Sequence, residues 1–310
     1  MDLIQILQKR IESINDGAHI IGLRAVLQHV QVASNHLKRG VEAPDDTAFT
    51  DAVYRTNQAF EGSLKEAYRV LAGRDPEKIR PYDIESFLQG QADVRARVLE
   101  QMSRYRTEWR NPSTHDYKLD FDEDEALLAI VSVCAFAVVL IDQIAEKLSF
   151  DRAKASAIGP LPVPGKPLAE LIADSLLTLE MHPISTGAAI SRVREAEVVG
   201  AVAGHLAAIL PKETKILVDA PFGDERLRAD ILVELNAEKV LVEVKNTRFA
   251  QNIRGVVISQ LSRYIAVSGI RQAVVFMFDG GLSGFQREDH NLPGIDARII
   301  ILAPQKQRSD

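Results

Sequence analysis

Several features that would assign this 310-residue chain to a class at once are scarce or missing. A single cysteine, Cys134, excludes an internal disulfide framework and a zinc site built from cysteines, and fits a reducing compartment. Basic residues are outnumbered, with 37 Lys and Arg against 43 Asp and Glu. The resulting net charge of −6 excludes a protein that coats nucleic acid through bulk positive charge. An enzyme with acidic metal ligands remains compatible with it.

The sequence also shows no internal repeat, no low-complexity tract and no export signal. Its first residues, MDLIQILQKRIESIND, place Asp2, Lys9 and Arg10 within a helical period. They lack the unbroken apolar core and the small-residue cleavage site of a signal peptide. We therefore expect a cytoplasmic protein.

The longest apolar run, residues 126–141, is shorter than the roughly 20 residues that a bilayer requires. It follows four acidic residues, and Asp122 with Glu125 three positions later has the pattern of a helix-capping box. We expect no membrane contact. The run instead predicts the central helix of a bundle, buried on all faces.

Residues 1–150 have helical periodicity almost throughout. The apolar spacing and the stop signals predict five helices, at about residues 3–14, 23–40, 46–71, 83–110 and from 122 onward. The fourth helix is predicted to end at Arg110, because Asn111 precedes Pro112 and a residue before proline avoids the helical region. The segment EWRNPSTHDY, residues 108–117, is then a polar loop that carries an Arg and a His.

The composition changes after Phe150. The stretch GPLPVPGKP, residues 159–167, contains four prolines and cannot sustain a helix or a central strand, so it predicts an interdomain linker. The domains are accordingly predicted at residues 1–150 and 168–310, with the linker at 151–167.

The second half combines helical and strand patterns. Two helices are predicted at residues 168–179 and 193–210, three strands from Lys215, Arg228 and Lys239, a helix at 256–267, and strands from Ala273 and Ala297. From residue 193 this is the order α-β-β-β-α-β. We therefore predict an all-α helical bundle followed by an α/β domain with a compact sheet.

The strand KVLVEVK, residues 239–245, carries the clearest chemical signal. Glu243 and Lys245 lie two apart, hence on one face of a strand otherwise made of valine and leucine, where charge is costly to bury alone. Asp230 precedes them in the neighbouring strand. Two such carboxylates can hold a hard divalent cation, and the lysine can orient the attacking water or the phosphate. For Asp230 and Glu243 to share a face, the loop between the strands must contain an even number of residues, unless a bulge corrects the phase.

The arrangement Asp230, Glu243, Val244, Lys245 resembles the PD-(D/E)xK nuclease superfamily, and the resemblance extends over residues 193–310. It implies a restriction-endonuclease-like core that cleaves phosphodiesters, usually in DNA. It further implies Mg²⁺ or Mn²⁺ held by Asp230 and Glu243. One departure is Ala229, which stands before Asp230 where the family motif has proline.

The same resemblance suggests further site residues. Gln260 and Tyr264 are spaced i, i+4 on the predicted helix after the lysine strand, as in several branches of the family. A glutamate on the first helix is expected to join the site; Glu197 is our choice and Glu195 the competitor. The alternative is that Glu-x-Lys forms an ordinary solvated strand face.

Arg110 and His115 in the predicted loop suggest a second chemistry. Arg can bind phosphate oxygens through its planar fork, and His can transfer a proton near neutral pH. RNA contains its own nucleophile, the 2′-hydroxyl, so such a site needs no metal and would leave a 2′,3′-cyclic phosphate. The alternative is a loop whose Arg110 pairs with Asp116 or Glu108.

The stretch RNPSTH resembles the signature of the HEPN superfamily (higher eukaryotes and prokaryotes nucleotide-binding), and the resemblance covers about the first 150 residues. Members with this signature are metal-independent ribonucleases that dimerise through the helical domain. The resemblance implies that Arg110 binds phosphate, that Asn111 helps to hold the site and that His115 is the acid/base.

Other polar residues of the first half are assigned less specific roles. Asn57, Glu61 and Lys65 are spaced i, i+4, i+8 and could face the same cleft, or they could form a solvated face with an intrahelical Glu61–Lys65 pair. The remaining histidines have no metal-ligand spacing and are predicted to be surface or packing residues: His19, His29, His36, His182, His205 and His290.

These observations predict a two-domain nuclease that acts on DNA, RNA or both, of the kind used in prokaryotic defence or as a toxin. One alternative has a single Mg²⁺-dependent nuclease, with the helical half serving dimerisation or sensing. Another is a non-enzymatic nucleic-acid binder.

Overall fold

The protein divides into a helical unit and a unit with a mixed sheet. The computed structural model describes residues 2–14, 17–43, 45–91, 94–116, 118–158, 165–180, 193–222, 227–247, 252–279, 284–292 and 294–305. The two compact units are Met1–Ala145 and Glu146–Asp310. The predicted helical part followed by an α/β part is therefore confirmed. In the predicted linker, residues 151–156 are helical, whereas residues 159–164 lie outside the described part of the chain.

The helical unit is built on amphipathic helices that bury one face each. Its described elements are α1 (Leu3–Glu12), α2 (His19–Glu42), α3 (Thr47–Leu71), α4 (Pro81–Gln89), α5 (Ala96–Tyr105), a π turn (Arg106–Arg110), α6 (Asn111–His115) and the beginning of α7 (Glu123–Ser156). Phe60 of α3 stacks on Tyr105 of α5 at a centroid distance of 4.6 Å and meets Phe136 of α7 at 5.0 Å. These three rings are buried and form one aromatic cluster within the core.

The predicted fourth helix and the loop after it are both wrong. Gly90 ends α4, and a separate helix, α5, follows. The chain then stays helical through Asn111 and Pro112, because the π turn widens the backbone just before the proline: the Asn111 N–H donates to the Arg106 carbonyl, five residues back. In this wide turn the proline ring avoids the carbonyl clash it would cause in a regular α-helix.

Helix α7 begins as predicted and is buried less completely than predicted. The Asp122 carboxylate accepts from the Glu125 N–H at 2.9 Å, and the Glu125 carboxylate accepts from the Asp122 N–H at 3.0 Å, which confirms the capping box. Leu127, Leu128 and Val131 are exposed, so burial on all faces is wrong. By length and composition α7 could cross a membrane, but 56% of its most apolar window is buried within the protein, a pattern also found in core helices of soluble proteins.

The second unit is a six-stranded sheet with helices on both faces. It contains α8 (Leu168–Leu177), α9 (Glu195–Ile209), β1 (Lys215–Phe222), β2 (Leu227–Leu235), β3 (Glu238–Asn246), α10 (Ile253–Ser268), β4 (Gln272–Phe278), β5 (Phe285–Asn291) and β6 (Arg298–Pro304). The strand order is β1-β2-β3-β4-β6-β5. The β3–β4 and β4–β6 pairs are parallel and the others antiparallel. The predicted element order α-β-β-β-α-β is present from α9 to β4.

Alternation along β3 divides the core of this unit into two layers. Val240, Val242 and Val244 pack with α8 and α9 on one face of the sheet. Leu241 packs with α10 on the other face, to which Glu243 and Lys245 belong by alternation. The inner strands are apolar on both faces, as expected for a covered sheet.

Strand β5 was not predicted, because its sequence FQREDHN lacks apolar alternation. It lies at the sheet edge, where charged side chains are tolerated and discourage pairing with other chains. Arg287 of β5 and Arg298 of β6 both bind the Glu170 carboxylate of α8, at 2.7–2.8 Å. The hydrogen bond from Arg287 is the largest cause that lowers the pKa of Glu170, and Arg298 adds to it, so that this pKa is about 2.

Close packing of α9 against the end of α7 depends on glycine. A Cβ at Gly200 would overlap the carbonyl oxygen of Glu146, which is backbone and cannot rotate away. We expect Gly200→Ala to lower the free energy of unfolding by about 1–3 kcal/mol, as measured by chemical denaturation. Gly255→Ala in α10 is the control, because its Cβ would meet only the flexible side chain of Asn252. Equal effects of the two changes would contradict this packing.

Candidate functional site

The hairpin β2–β3 brings Asp230 and Glu243 opposite each other. Its turn consists of two residues, Asn236 and Ala237, between the paired Leu235 and Glu238. Asn236 has φ 54°, a left-handed conformation that asparagine tolerates in tight hairpin turns. The loop is therefore even, as the site requires. The pairing continues to Ile231–Val242, and the next opposed residues are Asp230 and Glu243.

The backbone pairing of β2 with β3 ends before Asp230 and Glu243, and side-chain contacts take its place. The Asp230 Oδ2 atom accepts from the Val244 N–H at 2.8 Å, so the carboxylate takes a backbone donor of β3. Lys245 Nζ lies 3.4 Å from the same Asp230 oxygen and 2.8 Å from Glu243 Oε2. The three residues of the sequence motif thus form one contiguous cluster.

Burial makes the electrostatics of this cluster unusual. Glu243 is 1% exposed. Desolvation, reinforced by the negative charge of Asp230, raises the pKa of Glu243 to about 7 despite the neighbouring ammonium. Burial alone would lower the pKa of Lys245, but the charges of Asp230 and Glu243 outweigh it and raise that pKa, which keeps the lysine protonated.

The carboxylates have the chemistry of a divalent cation site. Glu243 Oε1 is buried and accepts no hydrogen bond from any described residue. A buried, unsatisfied carboxylate oxygen beside a second carboxylate fits Mg²⁺ or Mn²⁺, which prefer oxygen ligands. Within the described ranges, no group of three or more His, Cys, Asp or Glu side chains could hold a metal ion. A cation here would complete its coordination with water, as Mg²⁺ usually does.

Glu195 and Glu197, the two candidate glutamates on α9, lie in different environments. Glu197 is 2% exposed, and its Oε1 accepts from Arg194 Nε at 2.8 Å. Glu195 is exposed at the first turn of α9, and its charge is among those that raise the pKa of Lys245. Glu195 therefore interacts electrostatically with Lys245 of the cluster, whereas Glu197 forms an ion pair with Arg194 at the N-cap of its own helix.

Gln260 and Tyr264 lie together on α10, as their spacing predicts. Gln260 Nε2 donates to the Tyr264 hydroxyl at 2.9 Å, and the Tyr264 ring packs edge-on against Phe222 at 5.0 Å. In the described part of the chain, no hydrogen bond joins Gln260 to Asp230, Glu243 or Lys245. The pair lies on the helix that covers the same face of the sheet.

A second site lies in the helical unit, where a cleft of about 670 Å³ opens beside Arg110. Arg110 Nε and a terminal nitrogen both lie 3.4 Å from Glu61 Oε1, and its other terminal nitrogen donates to Asn111 Oδ1 at 3.2 Å. The alternative pairing with Asp116 or Glu108 is not found. The cleft is lined by His36, Asp51, Tyr54, Arg55, Asn57, Gln58, Glu61, Arg110, Ser113 and Thr114.

A buried polar chain holds the backbone behind Arg110. Tyr105 Oη donates to Thr56 Oγ1 at 2.7 Å and lies 3.1 Å from Asn57 Oδ1. Asn57 Nδ2 donates to Ser113 Oγ at 2.6 Å, and Ser113 Oγ donates in turn to the Arg110 carbonyl at 3.1 Å. Asn57 is therefore a buried connector that also borders the cleft. Lys65, which the spacing grouped with Asn57 and Glu61, does not line the cleft.

The structure places His36, and not His115, among the residues that line the cleft. His115 is exposed at the end of α6 and is not a lining residue of the cleft. The predicted loop is helical, and five residues of α-helix turn a side chain by about 140°, so Arg110 and His115 diverge. His36 instead lines the cleft, with Nδ1 3.8 Å from Asp51 Oδ2. No spacing rule could find this pair, because it joins two helices.

The buried carboxylate of Glu243 is expected to lower the free energy of unfolding when no cation is bound. Its folded pKa of about 7 lies above the ordinary 4.5, so the folded state loses stability as pH rises between these values. We expect Glu243→Gln, in chelator, to raise the free energy of unfolding at pH 8 on the order of 1 kcal/mol, and less at pH 5. Denaturant titration measures this. Glu234→Gln is the control and should change little at either pH, because Glu234 is only partly buried and pairs with the exposed Lys239. A loss of stability at pH 8 would contradict the burial penalty.

Comparisons of the chain with protein-family models, with curated protein sequences and with solved structures found no match. The function proposed below therefore follows from the positions, contacts and charges of its own side chains.

Proposed function

We propose that the second unit is a metal-dependent nuclease of the PD-(D/E)xK kind, with a restriction-endonuclease-like core. The observation that supports this most is the cluster of Asp230, Glu243 and Lys245, in which Glu243 Oε1 is buried and unsatisfied within the described chain. An ammonium beside two carboxylates would serve an anionic substrate that approaches a bound cation. A phosphodiester, with DNA as the first candidate, has that chemistry.

Each residue of the cluster has a separate task under this proposal. Asp230 and Glu243 hold Mg²⁺ or Mn²⁺, which when bound supplies positive charge to the phosphate and lowers the pKa of water. Lys245 stays charged and can donate to a phosphate oxygen or orient the attacking water. Glu195 is better placed than Glu197 to contribute, because its charge acts on Lys245. Gln260 and Tyr264 would border the substrate from α10.

The test is a cleavage assay on DNA and RNA with Mg²⁺, Mn²⁺ or chelator. We expect Asp230→Ala, Glu243→Ala and Lys245→Ala each to lower metal-dependent cleavage about a hundredfold or more. Lys239→Ala is the matched control, because Lys239 lies on the same strand and its exposed ammonium pairs, among the described residues, with Glu234. Cleavage that survives loss of Glu243 would refute the proposed centre.

A second candidate function is metal-independent RNA cleavage by the helical unit, of the HEPN kind. It is supported by the cleft in which Arg110, held by Asn111 and by the polar chain behind it, faces a pocket large enough for a nucleotide unit. Arg110 would bind the phosphate. His115 remains the acid/base by its motif, and His36 is the histidine that lines the cleft.

RNA cleavage in chelator separates the two histidines. We expect Arg110→Ala to lower cleavage about a hundredfold or more. If a single protomer forms the site, His36→Gln lowers it similarly and His115→Gln does not. If two protomers bring their motifs together, His115→Gln is the damaging change. Cleavage that survives both histidine changes and Arg110→Ala would exclude the helical unit as a ribonuclease.

The wider setting follows from these two sites. We propose a cytoplasmic protein that dimerises through its helical unit and acts on nucleic acid in defence or as a toxin. If only the metal-dependent activity is found, the helical unit serves dimerisation or sensing. If neither activity is found and Lys245→Ala leaves nucleic-acid binding unchanged, the chain is a binder and not an enzyme.

A further inference from the structure

Asp219 has a backbone conformation that its position in a strand does not explain. Among the described residues, Asp219 and Asn236 are the non-glycine residues with positive φ, at 50° and 54°. Asn236 forms a hairpin turn, where this conformation is expected. Asp219 lies within β1, where a left-handed residue interrupts the strand and costs energy.

The interruption falls opposite Asp230. Val218 pairs with Ile231 and Ala220 pairs with Ala229, whereas the intervening residues, Asp219 and Asp230, form no ladder pair. The register is the same on both sides, so neither strand contains an inserted residue and the feature is not a β-bulge. It is a single left-handed residue placed across from a residue of the proposed metal centre.

Both strands change faces at this point. Val218 and Ile231 pack in the core beneath α8 and α9. Ala220 and Ala229, each two residues away, pack in the core beneath α10. In a regular strand, residues two apart share a face. The outer end of the β1–β2 ribbon is therefore rotated, and the contact of Phe222 with Tyr264 on α10 accompanies this rotation.

The rotation occurs next to Asp230, whose side chain contacts the backbone of β3. Its carboxylate accepts the Val244 N–H of β3. Arg228 holds the turning point in place: Nε donates to Asp219 Oδ1 at 2.9 Å, and a terminal nitrogen donates to the Asp219 carbonyl.

We propose that Asp219 is a positioning residue for the metal centre. Its left-handed backbone, held by Arg228, rotates the ribbon and directs the Asp230 carboxylate toward Val244 and Glu243. This inference rests on the proposed function in so far as the carboxylates hold a cation. The backbone conformation carries the effect, and the charge of Asp219 does not.

Substitutions can separate conformation from charge. Asparagine and glycine adopt left-handed conformations readily, so Asp219→Asn and Asp219→Gly should keep the centre intact. Valine is strongly disfavoured there, and alanine less so. Asp219→Val should therefore disrupt the position of Asp230, and Asp219→Ala should do so partially. Asp219→Ala is the informative variant if the valine protein does not fold.

Amide hydrogen exchange at Val244 and calorimetric binding of Mn²⁺ test the proposal on the full chain. We expect Val244 to lose protection in Asp219→Val, to a smaller degree in Asp219→Ala, and not in Asp219→Asn or Asp219→Gly. Asp230→Ala is the positive control for lost protection. Mn²⁺ affinity should fall in the same order, about tenfold or more for valine.

Three outcomes would overturn or limit the inference differently. Unchanged Val244 protection in both the valine and alanine proteins would overturn it. Equal losses in Asp219→Asn and Asp219→Val would also overturn it, because charge would then carry the effect. If the wild-type protein does not bind Mn²⁺, the proposed metal centre fails, and the exchange measurement still decides whether Asp219 positions Asp230.

Discussion

The burial of Glu243 on an interior strand is the constraint on which the sheet unit depends. A carboxylate among valines is tolerated only because Lys245 approaches one oxygen and Asp230 lies beside it. The other oxygen has no hydrogen bond from the described residues. Hydrophobic packing around β3 fixes this carboxylate in place, so the energy of the fold maintains a carboxylate whose burial is unfavourable. The proposed metal site would account for this cost, because proteins accept lower stability at functional positions.

In the helical unit, buried hydrogen bonds instead of charges hold a site residue, Arg110, in place. Pro112 requires a widened turn, and the π turn supplies it directly beside Arg110. The polar chain from Tyr105 through Asn57 to Ser113 then ties that turn to α3 within a buried environment. Buried polar groups must be satisfied, so this chain fixes the turn in one geometry. Arg110 is thereby held at the wall of the cleft.

Periodicity located most elements because burial imposes it directly. The capping box at Asp122 and the order of the inner strands along the chain both follow from local rules. Strand β5 escaped prediction because an edge strand need not be apolar. The loop predicted at Pro112 was wrong because the rule for residues before proline assumes an α-helix, and a π turn removes the clash on which that rule depends.

The sequence by itself determined that Asp230 and Glu243 share a face of the sheet if the turn between β2 and β3 is even, because side chains alternate along a strand. Only the tertiary structure decided which other groups lie near each candidate site. Spacing does not distinguish Glu195 from Glu197 at the sheet cluster, or His36 from His115 at the cleft of the helical unit, since their positions depend on how separate elements pack. The left-handed Asp219 likewise cannot be read from the sequence, because it is recognised only where the residues on either side of it in one strand pack into different core layers.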